Sequence, residues 1–130
     1  MREVLFICVG NSCRSQMAEA MFNHRAPSGY RAVSAGTEPA SRVSSGAVQA
    51  MAELGIDIGG QHPKPIARDT VEGAFRIISM GCGVEGCPAP VHEDWAIVDP
   101  MGQPIERFRE VRDTIKARVE KLIEELKNEK

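Results

Sequence analysis

Aromatic residues are scarce in this chain. Phe6, Phe22, Tyr30, Phe75, Trp95 and Phe108 are the whole set among 130 residues. There is no basic excess either, since 16 Lys and Arg face 18 Asp and Glu for a net charge of −2. Few rings to stack on bases and no positive field exclude a nucleic-acid-binding domain. Long apolar stretches are missing as well. The longest, Val4 to Val9, is too short for the core of a secretion signal and far too short to span a bilayer. No internal repeat, linker or low-complexity tract breaks the chain. The expectation is a soluble, cytoplasmic protein with no membrane or nucleic-acid partner.

What is present suits one domain over residues 1–130. Hydrophobic residues make up 42% and charged residues 26%, a globular balance. A domain of this size buries roughly two-thirds of its unfolded surface, enough for a core without disulfides. Four cysteines in a chain with no secretion signal therefore point to catalysis, redox chemistry or metal binding. They fall in two pairs, Cys8 with Cys13 and Cys82 with Cys87.

Strand and helix signals alternate. Val4 to Ile7 reads as a strand buried on both faces. Ser15 to Phe22 puts Met17, Ala18, Met21 and Phe22 on one helical face. Tyr30 to Ala35 is a second strand, stopped by Gly36. Ala47, Met51 and Leu54 mark a helix capped by Ser44 or Ser45 and ended by Gly55. Phe75 to Met80 and Trp95 to Val98 are predicted as the third and fourth strands. Ile105, Phe108, Val111, Ile115, Val119, Leu122 and Leu126 trace a final amphipathic helix. Such alternation with short connections implies parallel βαβ units. His24, His62 and His92 lack metal-ligand spacing and read as surface or turn residues, and Trp95 reads as core.

Between the first strand and first helix lies Cys8-Val9-Gly10-Asn11-Ser12-Cys13-Arg14-Ser15, a Cys and an Arg separated by five residues. A loop opening into a helix N-terminus can aim the backbone N–H groups of residues 9–14 at one tetrahedral oxyanion. Gly10 and Asn11 tolerate the left-handed backbone that such a cradle needs. Arg14 can grip two oxygens with paired hydrogen bonds. A thiol at the base of this positive pocket is favoured as the reactive thiolate, which nominates Cys8 as nucleophile. Ser15 could donate a hydrogen bond to that sulfur. The pattern does not say which oxyanion is bound.

Val4 to Glu19, VLFICVGNSCRSQMAE, resembles the opening of the low-molecular-weight protein tyrosine phosphatase superfamily. Ser15-Gln16-Met17-Ala18-Glu19 is closer to its thioredoxin-coupled arsenate reductase branch, since the phosphatases usually carry Pro where Gln16 sits. The resemblance continues through Ser34-Ala35-Gly36, the cysteine pair ahead of Pro88, Asp99-Pro100 and the Phe108–Asp113 stretch. It implies an α/β fold, a three-layer sandwich around a four-stranded parallel sheet of order 2-1-3-4. Cys8, Cys82 and Asp99 would then meet beyond the carboxyl ends of the strands, at the switch point. Asp99, expected directly after the fourth strand, would serve as acid or base.

The same resemblance implies an arsenate reductase without a cofactor. Cys8 attacks arsenate, Cys82 attacks Cys8 to release arsenite, and Cys87 closes a disulfide with Cys82 that thioredoxin reopens. Three alternatives stand beside it. A tyrosine phosphatase would need only Cys8, Arg14 and Asp99, although no aromatic follows Asp99-Pro100 or lies within Thr37 to Val43 to sandwich a substrate ring. A redox or zinc module would use all four thiols, each pair having a permitted spacing. A Cys8–Cys13 disulfide could compete with the cascade, and the resolving cysteines of the family are usually more widely spaced than Cys82 and Cys87. In some reductases Asn11, Glu19, Ser34 and an acidic side chain hold potassium beneath the loop. Here Lys64 takes the fourth place, and its ammonium could satisfy the same oxygens. Replacing sodium by potassium is therefore expected to leave turnover unchanged, as steady-state rates in the two salts at equal ionic strength will register.

Overall fold

The computed structural model describes residues 1–81 and 91–128. Four parallel strands, β1 (Arg2–Cys8), β2 (Tyr30–Gly36), β3 (Ala74–Ser79) and β4 (Glu93–Asp94), form one sheet in the order β2-β1-β3-β4. Helices α1 (Arg14–His24), α2 (Ser45–Ala52), α3 (Arg68–Gly73) and α4 (Ile105–Asn128) complete the described elements. β1 lies at the centre, pairing Val4 with Ala32 and Cys8 with Gly36 on one side and Ile7 with Ser79 on the other.

A central strand must satisfy two cores, and the alternation along β1 does so. Val4, Phe6 and Cys8 join the larger core with α1, α2 and α4, whereas Leu5 and Ile7 join Ala35 and Ile77 on the opposite face. Burying each of the large side chains contributes roughly 1.5–3 kcal/mol. α1 is more than amphipathic. Arg14 to Ala18 and Ala20 to Phe22 are all buried, because α1 is packed by the sheet on one side and by α4 on the other. α4 presents Phe108, Val111, Ile115, Val119, Leu122, Ile123 and Leu126 to that layer. Arg109 and Arg112 extend from it to Glu53, and hydrogen bonds from Arg109 and then Arg112 hold that carboxyl below its usual range. α2 ends at Ala52, short of the Gly55 stop expected from the sequence; Gly55 takes φ +78°, and Ile56 N–H returns to Met51 O.

Two expectations need correction. The fourth strand is not Trp95 to Val98 but Glu93–Asp94. Ala96 adopts a left-handed φ of +50°, and Asp94 Oδ1 accepts the N–H groups of both Gly81 and Ala96. That turn ends the extended chain, yet it keeps Trp95 and Ile97 buried, with Trp95 5.5 Å from the Phe6 ring. Asp99 accordingly follows the strand by a turn and a short irregular segment, not directly. The short α3 was not expected, and its few apolar residues explain why: none of its side chains is fully buried.

Candidate active site

The loop between β1 and α1 sits at the carboxyl end of the sheet, where the chain reverses from β2 to β3 across the central strand. Four of its carbonyls are held by the segment that follows β2. Cys8 O accepts from Thr37, Val9 O from Glu38, Gly10 O from Ala40 and Ser12 O from Ser44, at 2.8–3.2 Å. In a planar trans peptide each C=O is opposed by the following N–H, so these bonds turn the N–H groups of Val9, Gly10, Asn11 and Cys13 inward. Asn11 N–H demonstrates the direction, landing 3.2 Å from Cys8 Sγ. Asn11 itself sits at φ +49°, the left-handed turn expected from the sequence.

Gly36 makes this geometry possible through its lack of a side chain. A Cβ there would lie 2.7 Å from Val9 O and 2.9 Å from Asn11 N. The residue that ends β2 thus also sets how closely the loop approaches the sheet.

Cys8 is buried, and its sulfur lies 2.8 Å from Ser15 Oγ. Arg14, the first residue of α1, is buried too. Its Nη1 donates to Met80 O at 2.6 Å and Ile97 O at 3.0 Å, while Nη2 lies 3.7 Å from Asp99 Oδ2. Asp99 is half-exposed, and its Oδ1 accepts Met101 N–H at 3.1 Å. Cys8, Arg14, Ser15 and Asp99 are therefore brought to one edge. Cys82 and Cys87 lie outside the described residues.

Beneath the loop the four residues singled out as supports are connected. Asn11 Nδ2 donates to Ser34 Oγ at 2.9 Å, and Ser34 Oγ donates to Glu19 Oε1 at 2.7 Å. Lys64 Nζ stands 3.9 Å from that same Glu19 oxygen and donates to His62 O at 3.2 Å. Its backbone N–H reaches Asn11 Oδ1 at 2.9 Å. The Lys64 ammonium thus stands beside the Glu19 carboxylate and the His62 carbonyl beneath the loop. Among the described residues no group of three His, Cys, Asp or Glu is placed to hold a metal ion. Of the histidines, His92 is exposed and its Nδ1 accepts Ile77 N–H.

Sequence reasoning missed three contributors. The backbone of residues 37–44 holds the loop, and the carbonyls of Met80 and Ile97 hold Arg14; backbone partners leave no mark in residue type. Gln16 is the third, and its place in the sequence did single it out, though only as a difference from the phosphatases.

A buried thiol beneath an inward-facing amide loop, with an arginine and a carboxyl at its mouth, belongs to enzymes that handle tetrahedral oxyanions through cysteine. The chain belongs to the low molecular weight phosphotyrosine protein phosphatase family, whose profile matches residues 3–130. It is 43% identical to a glutaredoxin arsenate reductase of Synechocystis sp., over 95% of this chain and 97% of that protein. A solved arsenate reductase in the phosphate binding state superposes with TM-score 0.84 at 42% identity, over 96% of this chain and 98% of that one. The YwlE arginine phosphatase of Geobacillus stearothermophilus superposes with TM-score 0.87 at 30% identity, over 98% and 94%. The chain thus shares its fold with reductases and phosphatases alike. Among the described residues no helix is long and apolar enough to cross a membrane.

Two outcomes follow from this geometry. Gly36→Ala will push Val9 and Asn11 away from the sheet and weaken inorganic phosphate binding by roughly tenfold or more, measured by calorimetry. The second concerns Cys13, whose thiol is pushed up to about 12 by burial first, then by the charges of Asp99 and Cys8, with Arg14 opposing. Its ordinary value is 9.0, so between the two the folded protein keeps a proton that the unfolded chain releases. Stability should fall as pH rises from about 9 toward 12. Cys13→Ala will flatten that decline in thermal melts compared at about pH 8 and about pH 10.5.

Proposed function

We propose that this chain is an arsenate reductase working through Cys8, Cys82 and Cys87, with thioredoxin as reductant in the cytoplasm. The observation that carries this reading is the Cys8 sulfur held by Ser15 and Asn11 under the inward-facing N–H groups of Val9, Gly10, Asn11 and Cys13. Cys82 and Cys87 add what a hydrolase does not require. The rim supports the same reading. Met101 stands half-exposed after Asp99-Pro100, and residues 37–43 offer no ring to sandwich an aryl ester.

Cys8 thiolate attacks arsenic, an As–O bond breaks, and the departing oxygen leaves as water with a proton from Asp99. Arg14 and the loop amides hold the remaining oxygens throughout. Cys82 thiolate then attacks Cys8 Sγ, and the S–As bonding pair passes to arsenic, giving arsenite and a Cys8–Cys82 disulfide. Cys87 attacks Cys82, returns Cys8 as thiolate and leaves a Cys82–Cys87 disulfide. A dithiol reductant exchanges with that bond and ends oxidised. Asn11, Glu19, Ser34 and Lys64 act as supports of the loop in this scheme.

Cys82→Ser and Cys87→Ser will each abolish multiple turnover while arsenate affinity stays within about twofold of the parent. Arsenite release and calorimetry measure the two quantities separately. Full turnover by either variant would remove the cascade and leave aryl phosphate hydrolysis as the reaction to assay. Running the parent with thioredoxin and with glutaredoxin plus glutathione tests the reductant, because the Synechocystis relative is named for the latter. Zinc bound to reduced protein in place of any turnover would favour the metal module.

A further inference from the structure

The Gln16 side chain is completely buried at the first turn of α1, with nothing in the scheme above for it to do. Its amide has a defined orientation. Nε2 lies 2.9 Å from Asn11 O and 3.0 Å from His62 O, two backbone carbonyls that can only accept, and 3.1 Å from Asn11 Oδ1. Its Oε1 accepts from Gln61 Nε2. The nitrogen must therefore face the anion loop and the oxygen must face Gln61.

That orientation fixes the next residue. Asn11 Oδ1 receives the Gln16 amide and also Lys64 N–H, a backbone group that can only donate. Asn11 Nδ2 must then point the other way, where it donates to Ser15 Oγ at 2.7 Å and to Ser34 Oγ at 2.9 Å. Ser15 Oγ is fully buried and already accepts from Asn11, and Cys8 Sγ stands 2.8 Å away to take its proton. The bonds run in one direction, from Gln61 through Gln16, Asn11 and Ser15 to the Cys8 sulfur. A second branch ends there too, because Gln16 holds Asn11 O while Asn11 N–H donates to the same sulfur.

We propose that Gln16 is a positioning residue. Its amide locks Asn11 in the left-handed conformation and sets the polarity of the hydrogen bonds, so that both Ser15 O–H and Asn11 N–H point at Cys8 Sγ. Gln16 touches no reacting atom. It ties the anion loop to Gln61 and His62, an anchor that a Pro at this position cannot provide. The inference rests on Cys8 as the nucleophile and is independent of which oxyanion is the substrate.

The test uses Gln16→Met, which keeps length and volume while removing both ends of the amide. Gln16→Pro is the second variant, since Pro is accepted in the first turn of a helix and breaks the same tie. The readouts are the pH profile of Cys8 alkylation by iodoacetamide, followed by peptide mass spectrometry, and the affinity for inorganic phosphate. Both are read on resting reduced protein without arsenate. In the parent, phosphate must protect Cys8 from alkylation; if it does not, Cys8 is not in the anion site and the proposal falls with that reading. In either folded variant the alkylation profile moves to higher pH by about one unit, the size of one lost hydrogen bond to a charged sulfur. Phosphate affinity falls by about tenfold as Asn11 relaxes. A folded variant that melts at lower temperature but keeps the parent's profile and affinity makes Gln16 a packing residue and overturns the proposal.

Discussion

A loop can turn its amides toward an anion only if its carbonyls are satisfied elsewhere, and this requirement organises the molecule around Cys8. Residues 37–44 meet it by lying along the outside of the loop and donating to Cys8, Val9, Gly10 and Ser12 in succession. That segment connects β2 to α2, so its position depends on Gly36 allowing close approach at one end and on α2 docking against α4 at the other. The anion site is thus a property of the sheet edge and the helical layer together, not of eight consecutive residues.

Arg14 extends the same logic across the sheet. Its guanidinium is anchored by Met80 O beyond β3 and Ile97 O beyond β4, and it faces Asp99. The left-handed Ala96 and the Asp94 carboxylate bring Ile97 into place. One side chain therefore joins the loop after β1 to the segments that follow β3 and β4. Cys13, two residues from Ser15, is treated differently: burial keeps it a neutral thiol beside a sulfur that receives two hydrogen bonds.

Much of this was legible in the sequence, for identifiable reasons. Val4 to Ile7, the spacing of Cys8 and Arg14, and the repeat from Ile105 to Leu126 each follow from local periodicity or local chemistry. The order β2-β1-β3-β4 came from family resemblance and agrees with the pairing observed. The failure at Trp95 to Val98 has a physical cause. Trp95 and Ile97 alternate as a strand would and both are buried, Trp95 as predicted, but the Asp94 carboxylate captures the Ala96 N–H and ends the ladder. α3 escaped notice because it buries almost nothing. Gln16 was visible as a difference from the phosphatases, while two of its partners, Asn11 O and His62 O, are backbone atoms that no residue type announces.

The burial of α1 on every side has a mechanical consequence. An ordinary surface helix can tilt or slide by exchanging contacts on one face with solvent. α1 has no such face over most of its length, and its first turn is pinned by Arg14 and Gln16 to three other segments. The Cys8 sulfur, bonded to Ser15 and Asn11 at the head of that helix, is held by the same restraints.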